Sequence, residues 1–201
     1  NVIRQGIVDG DAFAAPAMGT MAHRHTLGDS RPPIDPAANV FEARQTPSAL
    51  GLGLIDRIPD DVILAAADPD DMDGDGISGV ARVLPDGRLG RLGWKAGVPS
   101  VAEFVRDATF NELGLSLAEQ QGLTFGSTKD DDDVPDPEIS AADLEDVAFF
   151  LSHLGAPARS STDPLLEATG SEVFVTVGCA ACHTPSLPAN GGIEVHLFSD
   201  L

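Results

Sequence analysis

Tyrosine is missing from all 201 residues, and the chain has only two cysteines, one tryptophan and three methionines. Without tyrosine, neither a tyrosinate metal ligand nor a tyrosyl radical can come from this chain. With Cys179 and Cys182 the only thiols, a zinc site built on a second cysteine pair is excluded. Cations are scarce too: twelve Lys and Arg stand against 32 Asp and Glu, a formal charge of −20. A surface of that sign repels a phosphate backbone. It argues against nucleic acid and for high solubility or a basic partner. No apolar run approaches the length needed to span a bilayer as a helix. The opening Asn1-Val2-Ile3-Arg4-Gln5 lacks a Met, a basic n-region and an apolar h-region, and so reads as a mature form or a piece of a longer chain.

What is present starts from a hydrophobic content of 42%, enough at this length for one good core or one and a half. The chemistry concentrates in Gly178-Cys179-Ala180-Ala181-Cys182-His183-Thr184-Pro185. Cys-x-x-Cys-His is the attachment motif of a c-type haem. Two thiols three positions apart add to the two vinyl groups of one porphyrin, and the adjacent His183 binds iron as proximal ligand. A thioredoxin-like disulfide would want a long helix after the motif, whereas Pro185 and Pro188 follow here. Haem c attachment takes place outside the bacterial cytoplasm, so the expected location is periplasmic or otherwise extracytoplasmic. Eighteen residues follow His183 and the last methionine is Met72, so a downstream methionine ligand is excluded. His196 is the sole downstream nitrogen donor, with an exposed role favoured. The haem pocket is therefore expected to be completed by a redox partner protein, by further parts of the same protein, or by the Met18–His25 segment folding back.

Along the chain, Pro16, Pro32, Pro33 and Pro36 make the first forty-odd residues read as irregular; Met18, Met21, His23 and His25 cluster there, the histidines reading as surface residues in a loop. Helices are expected from Asp60 or Asp61 through Ala67 and from Pro99-Ser100 to Gly114. A third is expected from the Ser140–Asp143 cap to Gly155, and a fourth from Asp163-Pro164 toward Gly178. His153 falls off the apolar stripe of the third. No strand pattern is evident. Lys129 to Pro137 reads as an acidic linker. Asp71, Asp73 and Asp75 alternate along a glycine-bent turn, as hard-oxygen ligands around Ca²⁺ do. The turn is no EF-hand, because its twelfth position is Arg82 and Ser78 stands where an apolar residue belongs; a solvated turn with Asx hydrogen bonds is the alternative. Trp94, in a glycine-rich turn, reads as a packing residue or as an aromatic between redox centres.

Five blocks stand in order: Glu42-Ala-Arg44-Gln45-Thr46-Pro47-Ser48 through Ile55, Ile58-Pro59-Asp60, Ala67 through Gly79, Gly93-Trp94-Lys95-Ala96, and Asp146 through Arg159 with the haem motif after it. Taken together they resemble the bacterial di-haem oxidoreductases, c-type haem proteins of peroxidase or thiol-oxidoreductase type. The resemblance implies that Cys179, Cys182 and His183 hold the second of two haems. It also implies electron transfer through covalent haem, with a non-catalytic cytochrome docking a redox partner as the alternative. The first haem motif expected upstream of Arg44 is absent.

The combined expectation is a mainly α protein, with an incomplete cytochrome c-like haem lobe attached to an α-rich, loop-heavy lobe. Its expected divisions are an irregular segment at 1–45, the α-rich lobe with the Asp/Gly loop at 46–128, the linker at 129–139 and the haem lobe at 140–201.

Overall fold

A computed structural model describes residues 2–10, 12–14, 16, 20–22, 34–44, 48–130, 132–158 and 163–199. The chain divides into two compact units, residues 1–48 with 105–145 and residues 49–104 with 146–201. The cuts fall inside two helices, α3 (Val101–Ala108) and α4 (Ala141–His153).

The first unit is organised by strand β1 (Val2–Asp9), which pairs antiparallel with β2 (Ala12–Ala14), β3 (Met21–Ala22) and β4 (Val40–Arg44). Gln5 is buried in this sheet, and its amide oxygen accepts the Asp35 N–H at 3.3 Å. Asn39 clamps the strand from the side: it accepts the Val8 N–H at 2.9 Å and donates to the Val8 carbonyl at 2.8 Å. The unit's other half is a polar joint. Arg106 is buried and donates at 2.9 Å to the carbonyls of Phe125 and Ala118 and to the Gln120 side chain. Spreading a guanidinium over several oxygens is what makes its burial tolerable. Ser116 and Glu138 close the same loop reciprocally, through Ser116 N–H to carboxylate at 2.8 Å and Glu138 N–H to the Ser116 hydroxyl at 3.1 Å.

This sheet corrects the expectation of a mainly α protein. Helices and strands share the described residues, with one four-stranded and one two-stranded sheet, so the picture of a cytochrome c-like lobe on an α-rich lobe does not describe the fold. The strand signal was hidden for a physical reason. The apolar residues of β1 come as adjacent pairs, Val2–Ile3 and Ile7–Val8, while polar Gln5 lies inside, so period-two alternation is lost.

The second unit has an apolar cluster of Ile58, Ile63, Leu89, Leu187, Ala189 and Val195. Ile58 follows α1 (Leu52–Ile55) and Ile63 lies in α2 (Asp60–Ala65), whose first turn carries Asp60 and Asp61 against the helix dipole. Leu187, Ala189 and Val195 come from a hairpin of β5 (Leu187–Ala189) and β6 (Ile193–Val195). The Asn190 N–H at the hairpin tip donates to the Arg57 carbonyl at 2.9 Å. Arg91 ties the Ile58 carbonyl to the Asp60 carboxylate. The fully buried Glu103 pairs with Arg88 at 2.5 Å, and Arg88 also reaches Asp86 at 2.7 Å. Asp56 accepts the Val101 N–H at the start of α3, and burial pushes its carboxyl above the ordinary range despite that bond and the nearby Arg91. No helix among the described residues is long and apolar enough to cross a membrane.

Two substitutions test this packing. A Cβ at Gly53 would lie 1.9 Å from the Ser152 carbonyl oxygen, so α1 and α4 meet through backbone there. Gly53→Ala is expected to destabilise the protein by about 3 kcal/mol, the upper end for overpacking, as read by denaturant unfolding. Arg88→Met leaves Glu103 buried with its carboxylate short of a cation. Because Arg88 is one-third exposed, the expected loss is roughly 2 kcal/mol, below the full cost of breaking a buried pair. Restoring Glu103→Gln on that background should recover part of it.

Candidate functional site

The Cys-x-x-Cys-His motif sits at the end of α5 (Pro164–Thr176). Asp163 starts this helix by accepting the Leu165 and Leu166 N–H groups at 3.0 and 3.2 Å, and Pro164 supplies a first-turn residue that needs no partner for its nitrogen. The helix ends where Gly178 takes a left-handed φ of 86°, a conformation that favours glycine. The chain then tightens into a single 3₁₀ turn, Cys179–Ala181, closed by the His183 N–H donating to the Cys179 carbonyl at 2.9 Å. Cys179 and Cys182 are both exposed and both free thiols. The structure thus puts the two sulfurs and the imidazole of the sequence motif on one turn.

His183 is oriented from further along the chain. Its Nδ1 lies 2.9 Å from the Phe198 carbonyl oxygen. A carbonyl oxygen only accepts, so Nδ1–H is the donor, and in a neutral imidazole that leaves the lone pair on Nε2. This is the tautomer a ring needs to bind a metal through Nε2. Phe198 itself has a φ of 53°, which costs a non-glycine residue about 1–2 kcal/mol. Its ring packs edge-on against Phe174 of α5, with centroids 5.3 Å apart and planes at 83°. Phe174 in turn stands edge-on to the His183 imidazole at 6.5 Å. Neither phenylalanine was identifiable as a site residue: nothing in the spacing of Phe198 marks it as the partner of a histidine fifteen positions earlier.

The surroundings are apolar and open. Leu166 and Val173 fall on one side of α5 with Gly170 between them, Val177 caps its C-terminus, and the three apolar residues are 69%, 50% and 66% exposed. This donor set fits a haem: two accessible thiols at the attachment spacing, an imidazole whose Nε2 is available for iron, and apolar side chains to lie against a porphyrin.

The acidic turn is rearranged relative to its expected ligand set. Asp68, Asp71 and Asp73 each bring a carboxylate oxygen within 4.8 Å of the others. Asp75 is outside that group, its Oδ1 accepting the Ile77 N–H at 2.8 Å. Asp68, missed in the sequence, accepts the Met72 and Asp73 N–H groups at 2.9 and 3.3 Å while its backbone bridges Gly79. The Asx hydrogen bonds of the solvated-turn alternative are also present, at Asp73 to the Asp75 N–H and at Asp75 to the Ile77 N–H, and Asp71 accepts the Gly76 N–H across the turn.

Other singled-out residues fall elsewhere. Trp94 is 54% exposed in a short 3₁₀ turn, which overturns its reading as a packing residue. His153 is exposed, stacked on Phe149 with its Nδ1–H donating to the Phe149 carbonyl at 2.8 Å. His196 is exposed just past β6. Met18, His23 and His25 lie outside the described residues.

The family model described as "Di-haem oxidoreductase, putative peroxidase" matches residues 38–196. No curated protein and no solved structure matches the chain. The match takes in both the acidic turn and the Cys-x-x-Cys-His turn, and it spans well over half the sequence. The chain belongs to the di-haem oxidoreductase family.

Proposed function

We propose that this chain is a c-type haem redox protein, in which Cys179 and Cys182 carry one haem by thioether bonds and His183 ligates its iron. The observation that carries the reading is the single turn holding two exposed free thiols beside an imidazole whose Nδ1–H is engaged by the Phe198 carbonyl. When bound, haem supplies one-electron chemistry and, with an open iron position, peroxide chemistry. The chain's own residues attach and orient. The Gly178 turn presents both thiols, the Phe198 carbonyl fixes the imidazole tautomer, and the apolar stripe of Leu166, Val173 and Val177 offers a dry surface to the ring. A redox partner or further parts of the same protein complete the cover. Thioether attachment of haem takes place outside the bacterial cytoplasm, and this supports a periplasmic or otherwise extracytoplasmic location.

The family favours a peroxidase-like oxidoreductase. The charge of −20 favours a second reading, a non-catalytic electron-transfer cytochrome that docks a basic partner. A five-coordinate or weakly ligated iron selects the enzyme, and a six-coordinate iron with no exchangeable position selects the carrier. Absorption spectra with and without added cyanide separate the two.

The haem assignment has a direct check. Denatured protein is expected to keep its pigment on a gel and to give a two-thioether haem c spectrum in pyridine. Cys182→Ala should shift that spectrum toward a single thioether or abolish the pigment. An unchanged spectrum would sink the assignment.

The acidic turn belongs to the same proposal as a Ca²⁺ site, now resting on Asp68, Asp71 and Asp73. A cation held only by the folded chain raises the melting temperature by mass action, so added Ca²⁺ should raise it and chelator should lower it. A melt indifferent to both leaves a solvated turn held by its own Asx bonds.

A further inference from the structure

Phe198 combines two features that seldom coincide by accident. It is a bulky residue in the left-handed region, at φ 53°, and its carbonyl is the acceptor for the His183 imidazole at 2.9 Å. Such a conformation persists only where the surroundings over-determine it. Here the fixing contacts are visible. The Phe198 ring is caught edge-on by Phe174, and the strand β6 that leads to it ends at the buried Val195. In an extended or right-handed conformation the same peptide would aim its carbonyl elsewhere, and the imidazole would be free to turn.

We propose that Phe198 is a positioning residue for the haem ligand: its left-handed backbone, pinned by the Phe174 ring, aims a carbonyl at His183 Nδ1 and so sets both the direction and the basicity of Nε2. The device is built from one strained peptide and one aromatic pair. It rests on the haem reading above. A hydrogen bond at Nδ1 makes the imidazole a stronger donor to iron, which favours the ferric state and lowers the reduction potential. The consequence is therefore on the redox property, beyond the fold.

The test uses the haem-loaded full chain. Proline cannot reach a positive φ, whereas glycine reaches it freely. Phe198→Pro is expected to keep its thioether haem, to raise the reduction potential and to speed solvent exchange of the His183 Nδ1–H by about tenfold or more, the size expected for a lost hydrogen bond. Phe198→Gly should stay closer to wild type on both measures. If the proline variant does not fold, Phe198→Val makes the same comparison, because a β-branched residue strongly disfavours this region. A proline or valine variant indistinguishable from wild type overturns the proposal. So does a glycine variant that shifts as far as proline, since the left-handed φ, which glycine adopts freely, would then not be what aims the carbonyl. If the purified chain carries no covalent haem, the proposed function fails, and ¹⁵N NMR of the haem-free protein still decides this inference. An Nδ1-protonated His183 that moves to the Nε2-protonated form in Phe198→Pro supports it, and an Nε2-protonated wild type overturns it.

Discussion

Burial of the β5–β6 hairpin is the constraint on which the site depends. Leu187, Ala189 and Val195 enter the same apolar cluster as Ile58, Ile63 and Leu89, while the motif just before the hairpin and Phe198 just after it are exposed. An exposed turn has little of its own to hold it. A hydrogen bond contributes only about 1 kcal/mol net, no more than the strain at Phe198 costs. Fully burying a Leu or Val side chain contributes about 1.5–3 kcal/mol. The hairpin therefore supplies the stability and the His183–Phe198 bond supplies the direction. By folding back, the hairpin brings together two residues fifteen positions apart.

The chain's few cations have a related structural role. Arg91 is held by the Ile58 carbonyl and Asp60, Arg106 by three oxygens of its own unit, and Arg88 by Glu103 and Asp86. These guanidiniums face inward or along the surface to partners, whereas most aspartates around 70–75 and 130–136 are exposed. Because Arg88 and Arg91 are each taken up by carboxylates, they do nothing to offset the remaining acids, and the net charge of −20 stands. A partner met by diffusion would feel a predominantly negative exterior.

Local chemistry was legible in the sequence wherever one residue decides a local event. Asp60 opens α2, Ser140 with Asp143 caps α4, Asp163-Pro164 starts α5, and Gly178 stops the chain before the cysteines. The haem motif is of that kind, since its spacing is its chemistry. The N-terminal sheet was not legible, because β1 is paired on both sides and lacks the alternation that marks a half-buried strand. Asp68 was passed over because its role comes from a bridge to Gly79 across the turn. Phe198 was passed over because its role lies in a backbone carbonyl, which every residue has.

Helix α5 shows why the proposed haem site and the fold are one problem. None of its thirteen residues is buried, although Leu165, Leu166, Val173 and Val175 are apolar. A helix of that length is marginal in water by itself, and its Asp163 cap adds only about 1 kcal/mol. Its apolar stripe runs through Leu166, Gly170, Val173 and Val177 to the turn that carries Cys179. A flat apolar group fastened at Cys179 and Cys182 would stay tethered to the end of that stripe. Covering it would stabilise the helix that presents the thiols, so attachment and ordering of α5 would reinforce each other. The same residues that make the helix weak alone are the ones the proposed haem would cover.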